Sequence, residues 1–224
     1  MSFWEQTVEL ARVDLAVERR LGETSRIIAP FALVALAIFP MALGLRITLV
    51  SEIGTAVFWA LGILFGMQIA LRRSSTDDRE RRDLHALLGV DPAARFTGRV
   101  LAGSLLTTLF LVVLFVGMAL LYGPGLPSSA APTIALSIVF VAIGLAELGT
   151  LAGEIAWGLR DRTALASLIV APLAIPLLIA GSQTLQAIAT GTGILPGVLL
   201  MLTTDLALAV AGVALARPLE EATR

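Results

Sequence analysis

The chain has 224 residues, of which 57% are hydrophobic, and its mean hydropathy is +0.91. This composition lies outside the balance of a soluble globular domain and indicates a membrane protein. The sequence contains no cysteine, which excludes disulfides, Fe–S clusters and thiolate metal sites. It also contains no lysine, which a Walker A loop needs to hold the nucleotide phosphates. The chain therefore cannot be a P-loop ATPase by itself, and its net charge of −1 adds little to this conclusion.

The first predicted element is an amphipathic helix within residues 1–26. Ser2 and Glu5 have the spacing of a capping box. Apolar side chains recur at helical spacing after this cap, namely Trp4, Val8, Ala11 and Leu15. A tryptophan beside an apolar stripe is typical of a helix lying in the membrane interface. We therefore predict an interfacial helix on the cytoplasmic face, with a frayed polar leader as the alternative.

Six apolar stretches follow, and we predict a six-helix transmembrane domain over residues 27–216 with a cytoplasmic tail over residues 217–224. A bilayer core about 30 Å thick needs roughly 20 apolar residues in a helix. Backbone amides in hydrocarbon must be bonded within their own segment, so the predicted fold class is an all-α membrane protein. The stretches cover residues 27–45, 53–71, 100–122, 132–151, 165–181 and 194–216.

The distribution of arginine predicts the orientation of these helices. Four arginines precede the first span, seven lie in the loop of residues 72–99, two lie between the fourth and fifth spans, and two lie in the tail. The three loops on the opposite side contain a single arginine, Arg46. The positive-inside rule then places both termini in the cytoplasm, as expected of a multi-pass protein of the bacterial plasma (inner) membrane with N-in/C-in topology.

The loop of residues 72–99 contains the pattern of a short helix. Thr76 is a natural N-cap with two acids directly after it, where the helix dipole favours negative charge. Gly89 is expected to end this helix, and Pro92 is expected to prevent its resumption. Leucines at positions 84, 87 and 88 form an apolar patch too small for a core of its own. We expect this patch to dock on a partner or on the inner ends of the spans, a solvated loop being the alternative.

Two acids interrupt the predicted spans: Glu147 toward the cytoplasmic third and Asp205 near the midplane. An ionisable group within a span is a functional hypothesis by default. No basic residue lies inside any predicted span, so each acid must be protonated, face water or bond hydroxyls of neighbouring helices. Glu154 follows on the same helical stripe, near the interface, where it could pair with Arg160 or Arg162. Glu147 and Asp205 could be neutral groups that serve helix packing, or they could line a polar path through the membrane, and the sequence leaves both alternatives open.

Pro172 and Pro176 predict a kinked or discontinuous fifth helix, because two breaks in helical bonding lie four residues apart.

An enzyme active site within the membrane is poorly supported. The single histidine, His85, lies in the loop of residues 72–99, so a Ser–His pair or a histidine metal site cannot form in the bilayer. We therefore expect no catalytic, cofactor-binding or metal site in this chain. A proton-coupled carrier that uses Glu147 and Asp205 remains an alternative.

Several pieces of the sequence resemble one known family. They are the Phe3-Trp4 pair, the Phe39-Pro40 pair at the end of the first span, the charged loop ending near Leu87-Leu88, and the string LIVAPLAIPLLI at residues 168–179. In length, order and topology they resemble the family of cytochrome c maturation protein B, also called haem exporter protein B (CcmB). The string in the fifth span is the most specific of these pieces.

The resemblance implies the six-helix permease subunit of an ABC-2-type transporter, which acts in cytochrome c-type biogenesis. It implies four partners: a separate ATPase subunit that binds the ATP, a haem-handling membrane protein, a haem chaperone and the lipid bilayer. ATP hydrolysis would then drive haem export or release of the haem-loaded chaperone. Haem would be a transported or handled ligand, and no nucleic acid is implied. An ABC-2-type permease for another lipophilic substrate, such as a lipid or drug, is the runner-up.

The resemblance also assigns a coupling helix to residues 77–88. The residues that would contact the ATPase subunit are Asp77, Asp78, Glu80, Asp83, Leu84, Leu87 and Leu88. Asp83 lies near an acid that is usual in the family, whereas Gly89 stands where a proline is common.

Overall fold

The computed structural model describes residues 2–42, 47–75, 84, 87–156 and 162–222, and the elements within these ranges are helical. The main helices are α1 (Phe3–Leu21), α2 (Ala29–Ala42), α3 (Ile47–Ser75), α4 (Pro92–Tyr122), α5 (Ala131–Ile155), α6 (Arg162–Leu173), α7 (Ile175–Thr190) and α8 (Leu195–Ala222). A π-helical turn, Thr24–Ile28, leads into α2, and a short 3₁₀ turn, Ser128–Ala130, leads into α5.

Six segments of the described chain are long and apolar enough to cross a membrane. They are Thr24–Ala42, Ile53–Leu71, Pro92–Tyr122, Ser128–Ile155, Leu168–Thr190 and Leu195–Leu219. The prediction of an all-α, multi-pass membrane protein with six spans is therefore confirmed.

The N-terminal helix α1 begins with a capping box. The Ser2 amide donates to Glu5 Oε2 at 2.8 Å, and the Glu5 amide donates to Ser2 Oγ at 3.3 Å. These bonds satisfy two of the amides that a helix start leaves without internal partners. The position of α1 at the membrane surface remains a prediction.

Helix α4 begins eight residues before the predicted start of the third span. Asp91 is its N-cap, accepting a hydrogen bond from the Ala93 amide at 2.9 Å, and Pro92 occupies the first turn. Proline suits this place because its fixed φ matches the helix and its missing N–H would have no internal partner there. The sequence predicted only that Pro92 prevents the short helix before it from resuming, whereas the structure starts a new helix at this proline. Arg95 and Arg99 consequently belong to the spanning segment, which corrects the prediction that the spans hold no basic residue.

The fifth span is divided at Ala174, between the two prolines that the sequence singled out. Pro172 lies in the last turn of α6, and Pro176 lies in the first turn of α7. The Ala174 amide still donates to the Val170 carbonyl at 2.9 Å, and the Leu178 amide donates to the Ala174 carbonyl at 3.0 Å, so Ala174 is hydrogen-bonded to both helices. Pro176 has no N–H to donate to the preceding turn, which accounts for the break.

Helix α5 is the central helix of the bundle. Over an 18-residue stretch of its spanning segment 72% of the residues are buried, and it packs against α3, α4, α6, α7 and α8. Gly149 permits one of these contacts, because a Cβ there would meet the backbone of Ala70 on α3. Small residues of this kind let membrane helices approach closely. The largest fully buried side chains around α5 include Trp59, Phe58, Leu114, Leu177 and Met201.

The alternating direction of the spans collects charged residues at one end of the bundle. The start of α4, the end of α5 and the end of α8 meet there, and α1 packs beside them on α4. We call this the arginine-rich end, because Arg95, Arg99 and Arg217 lie there.

Candidate functional site at the arginine-rich end

The described part of the predicted coupling helix is an exposed helical turn directly before α4. The Leu88 amide donates to the Leu84 carbonyl at 3.0 Å. Gly89 follows with φ +67°, the left-handed conformation in which glycine often ends a helix. Leu84, Leu87 and Leu88 are 53%, 86% and 69% exposed. We call these three residues the leucine patch.

The remaining predicted contact residues lie outside the described part of the chain. They are Asp77, Asp78, Glu80 and Asp83, together with the predicted N-cap Thr76 and the single histidine His85.

Asp91 joins the leucine patch to three helices. Its amide donates to Gln6 Oε1 on α1 at 3.1 Å, and its carboxylate caps α4. Its second carboxylate oxygen accepts from Arg217 Nη2 on α8 at 2.8 Å. The hydrogen bond from Arg217 holds the pKa of Asp91 below its ordinary value. This carboxylate therefore stabilises the fold above the ordinary pKa of aspartate, and the contribution is lost as the pH falls through the lowered pKa.

A buried ionic cluster lies one turn further into the bundle. Glu154 on α5 accepts from Arg99 Nη1 at 2.8 Å, and Arg95 Nη2 lies 3.8 Å from its other oxygen. All three side chains are largely buried, with relative exposures of 8%, 14% and 5% for Glu154, Arg99 and Arg95. Breaking such a cluster by removing one partner is costly, because the remaining charges stay buried. The cluster therefore fixes α4 against α5.

The sequence had proposed other partners for Glu154. Arg160 and the side chain of Arg162 lie outside the described residues, and the partners that the structure describes are Arg95 and Arg99. One sequence pattern could have placed Arg95 and Arg99 on the same helix as the third span. It is the Asp91-Pro92 pair, which marks an N-cap followed by the first helical residue.

An apolar contact beside the ionic cluster attaches α8 to the same unit. The Phe96 ring packs with Ala93, Leu151 and Ala216. A Cβ at Gly212 would collide with this ring, so the glycine allows α8 to lie close to α4. The arginine-rich ends of α4, α5 and α8 are thus held together by both charge and packing.

The two intramembrane acids lie on helices that pack against each other, Glu147 on α5 and Asp205 on α8. Glu147 and Asp205 are 5% and 6% exposed. A Cβ on Gly144 would lie 2.6 Å from Asp205 Oδ1, so this carboxyl group rests against α5. Both Asp205 oxygens and Oε2 of Glu147 are buried and have no hydrogen-bond partner among the described residues. A buried, ionised carboxylate without a hydrogen-bond partner is costly, so Asp205 needs a proton or a cation.

This acidic pair lies close to the ionic cluster along α5. Glu147 and Glu154 are seven residues apart, or about 10 Å along a helix. Asp205 of α8 lies against Gly144, one turn before Glu147, and Arg99 of α4 contacts Glu154. Two buried acids therefore lie on one stripe of α5, two turns apart.

The comparison with protein families decides the identity. A family model described as CcmB protein matches residues 5–221, which covers all six spans, the leucine patch and all but the first two residues of α1. The chain belongs to the CcmB family. The resemblance found in the sequence is thereby confirmed.

Individual members of the CcmB family agree with this assignment. The chain is 33% identical over 182 residues to Heme exporter protein B of Pseudomonas aeruginosa, covering 80% of this chain and 79% of that protein. It is 28% identical over 184 residues to Heme exporter protein B of Bradyrhizobium diazoefficiens, covering 81% and 82% of the two chains. The protein of the same name from Haemophilus influenzae is also 28% identical over 184 residues. The likeness extends over most of each protein.

Proposed function

We propose that this CcmB-family chain is the membrane subunit of a haem-export transporter in the bacterial plasma membrane. The observation that carries the proposal is the family match over residues 5–221, together with relatives named Heme exporter protein B. The chain contributes the six membrane helices of the transporter. Because its sequence contains no lysine and hence no Walker A loop, the energy comes from ATP bound by a separate ABC-type ATPase subunit.

The ATPase subunit docks on the leucine patch. Three exposed leucines on one short turn offer apolar area that a partner can bury, and aliphatic contacts among charged neighbours are usual at small interfaces. The charged loop before them, with Asp77, Asp78, Glu80 and Asp83, supplies the polar rim of the contact. The leucine patch is therefore the coupling segment.

Movement of the coupling segment reaches the spans through α4. Only Gly89, Val90 and Asp91 separate the leucine patch from the first residue of this helix. The Asp91 contacts and the buried ionic cluster then tie α4 to α1, α5 and α8. A displacement imposed by the ATPase subunit would therefore move several helices as a unit rather than bending a loop.

The transported or handled ligand is haem in the context of cytochrome c maturation. The chain has no cysteine and a single histidine, in the coupling loop, so histidine or cysteine ligands to the haem iron come from partner proteins: a haem-handling membrane protein and a haem chaperone. ATP hydrolysis would then drive haem export or release of the loaded chaperone on the outer side. This chain acts as a transporter subunit and not as an enzyme.

Both termini and the coupling segment are expected to face the cytoplasm, because the arginine-rich end carries the positive charge. The naturally cysteine-free chain allows single-cysteine labelling. In intact cells an impermeant thiol reagent should label Ser129→Cys, an exposed position at the opposite end, and should label Leu87→Cys only after permeabilisation. Labelling of Leu87→Cys in intact cells would contradict the orientation.

Asp205→Asn should leave expression and assembly intact but reduce cytochrome c maturation, if the acidic pair takes part in transport. Asparagine preserves the shape and hydrogen-bonding capacity of aspartate while removing its charge. Asp205→Leu should then function no worse than Asp205→Asn. If the acid serves packing alone, Asp205→Asn should be silent and Asp205→Leu should impair assembly. Full maturation in the Asp205→Asn variant with unchanged complex yield would remove Asp205 from the transport path.

Affinity purification of the tagged chain from membranes tests the proposed function as a whole. We expect an ABC-type ATPase and haem-handling membrane proteins to co-purify, and cytochrome c maturation to fail when the gene is deleted. An ATPase without haem-handling partners, together with normal cytochrome c, would favour a permease for another lipophilic substrate. Purification without an ATPase would contradict the ABC assignment and favour a proton-coupled carrier.

A further inference from the structure

An open groove of about 450 Å³ lies where α1 crosses the bundle. Val8, Ala11 and Leu15 of α1 form one side, and Leu101 and Leu105 of α4 face them. Val139 and Ile143 of α5 complete the apolar lining, and Ser104 and Thr108 of α4 also line the groove. Its volume falls within the range of small-molecule sites in proteins. The groove is separate from the ionic cluster and from the acidic pair.

Close packing at Gly98 determines the position of the groove. A Cβ on Gly98 would lie 2.8 Å from the Thr7 carbonyl oxygen and 3.0 Å from Leu10 Cβ, so α1 touches the α4 backbone here. Thr7 and Ala11 are almost fully buried at this crossing. From Leu101 onward the two helices separate, and the groove follows α4 for about two turns, or about 10 Å, into the spanning segment.

The walls of the groove differ in chemistry. Those formed by α4 and α5 are mainly apolar, and Leu101 and Leu105 are each about half exposed within the third spanning segment. The wall formed by α1 also contains Arg12, with a side chain that is 73% exposed. Its ion pair with Glu9 is a long one, at 3.6 Å on the helix surface, and such pairs contribute little. An anionic group can therefore displace or share this contact.

We propose that the groove binds one phospholipid of the leaflet at the arginine-rich end, with an acyl chain between α4 and α5 and the phosphate on Arg12. Guanidinium groups bind phosphate through two parallel hydrogen bonds, which suits a headgroup held at the interface. The apolar walls of the groove suit the acyl chain. The proposal does not depend on which molecule the transporter carries.

The dimensions argue against a helix of a partner protein as the occupant. A helix with its side chains is about 10 Å across, so only part of its width could enter an open groove of about 450 Å³. A single acyl chain is narrower and can lie in the groove along its length.

Native mass spectrometry of the purified full-length chain, mixed with phosphatidylglycerol or phosphatidylethanolamine in detergent, tests the proposal. Leu105→Trp fills the groove and should lower the occupancy of the tightest-bound phosphatidylglycerol about tenfold. Leu109→Trp is the matched control, because Leu109 lies one turn further along α4, is 57% exposed and does not line the groove. This control should bind lipid like the unaltered chain.

A second pair of variants tests the headgroup contact without disturbing the packing. Arg12→Ala should weaken phosphatidylglycerol binding about fivefold to tenfold, as expected for one charge-assisted contact, whereas Arg20→Ala, another exposed arginine of α1, should not. Equal lipid occupancy in Leu105→Trp and Leu109→Trp would overturn the proposal. So would loss of a co-purifying subunit instead of lipid, which would make the groove a protein interface. Unchanged binding in Arg12→Ala would overturn the phosphate assignment.

Discussion

Replacing Glu154 with alanine should lower the free energy of unfolding by about 3–5 kcal/mol, because it leaves the buried guanidinium groups of Arg95 and Arg99 without this carboxylate. Such a loss is a large fraction of the stability of a typical protein, so the yield of folded chain in the membrane should fall sharply. The measurement is the unfolding midpoint of the purified chain in mixed micelles, followed by circular dichroism.

Glu9→Ala is the matched control for this experiment. Glu9 also pairs with an arginine, but both side chains are more than half exposed, so the change should cost less than about 1 kcal/mol. Replacing the three members of the ionic cluster together by methionine or leucine should recover much of the stability, since apolar residues of similar volume often substitute well for a buried ionic set. Equal unfolding midpoints for Glu154→Ala and Glu9→Ala would show that the cluster contributes little.

The double substitution Leu84→Asp and Leu88→Asp should release the ATPase subunit from the complex. Burying unpaired carboxylates at an interface costs several kcal/mol, which corresponds to at least a ~100-fold loss of affinity. The bundle should remain folded, because both leucines are exposed and the core lies elsewhere. Pull-down of the ATPase subunit with the tagged chain measures the effect, and circular dichroism checks the fold.

Leu21→Asp is the control, because it also replaces an exposed leucine by a carboxylate but lies outside the leucine patch. Leu21 is 55% exposed at the end of α1, and the substitution should leave the complex intact. A charge reversal at Asp83 should give a milder loss than the double substitution, since rim charges affect association rate more than affinity. Undiminished pull-down of the Leu84→Asp, Leu88→Asp variant would mean that the ATPase docks somewhere else.

The start of α4 was not predicted, although the sequence contains a helix-start pattern there. The Asp91-Pro92 pair is a helix-start pattern that is readable in the sequence. The two arginines that follow it made the segment look like part of a polar loop, since charged groups are costly within a bilayer. Their cost is offset by Glu154, which lies more than fifty residues away in the chain. Only the packing of α4 against α5 brings this partner into place.

The sequence by itself determined the number and type of the spans, because a segment in hydrocarbon must satisfy its backbone hydrogen bonds internally and only a helix can do so. It also determined the division of the fifth span, since the missing N–H of a proline is a local property. The contacts of Glu147, Asp205 and Glu154 were decided by the tertiary structure alone. Apolar stretches of similar composition do not specify which helices become neighbours. Small residues such as Gly144 and Gly149 permit close contact, but the sequence does not show which helix they contact.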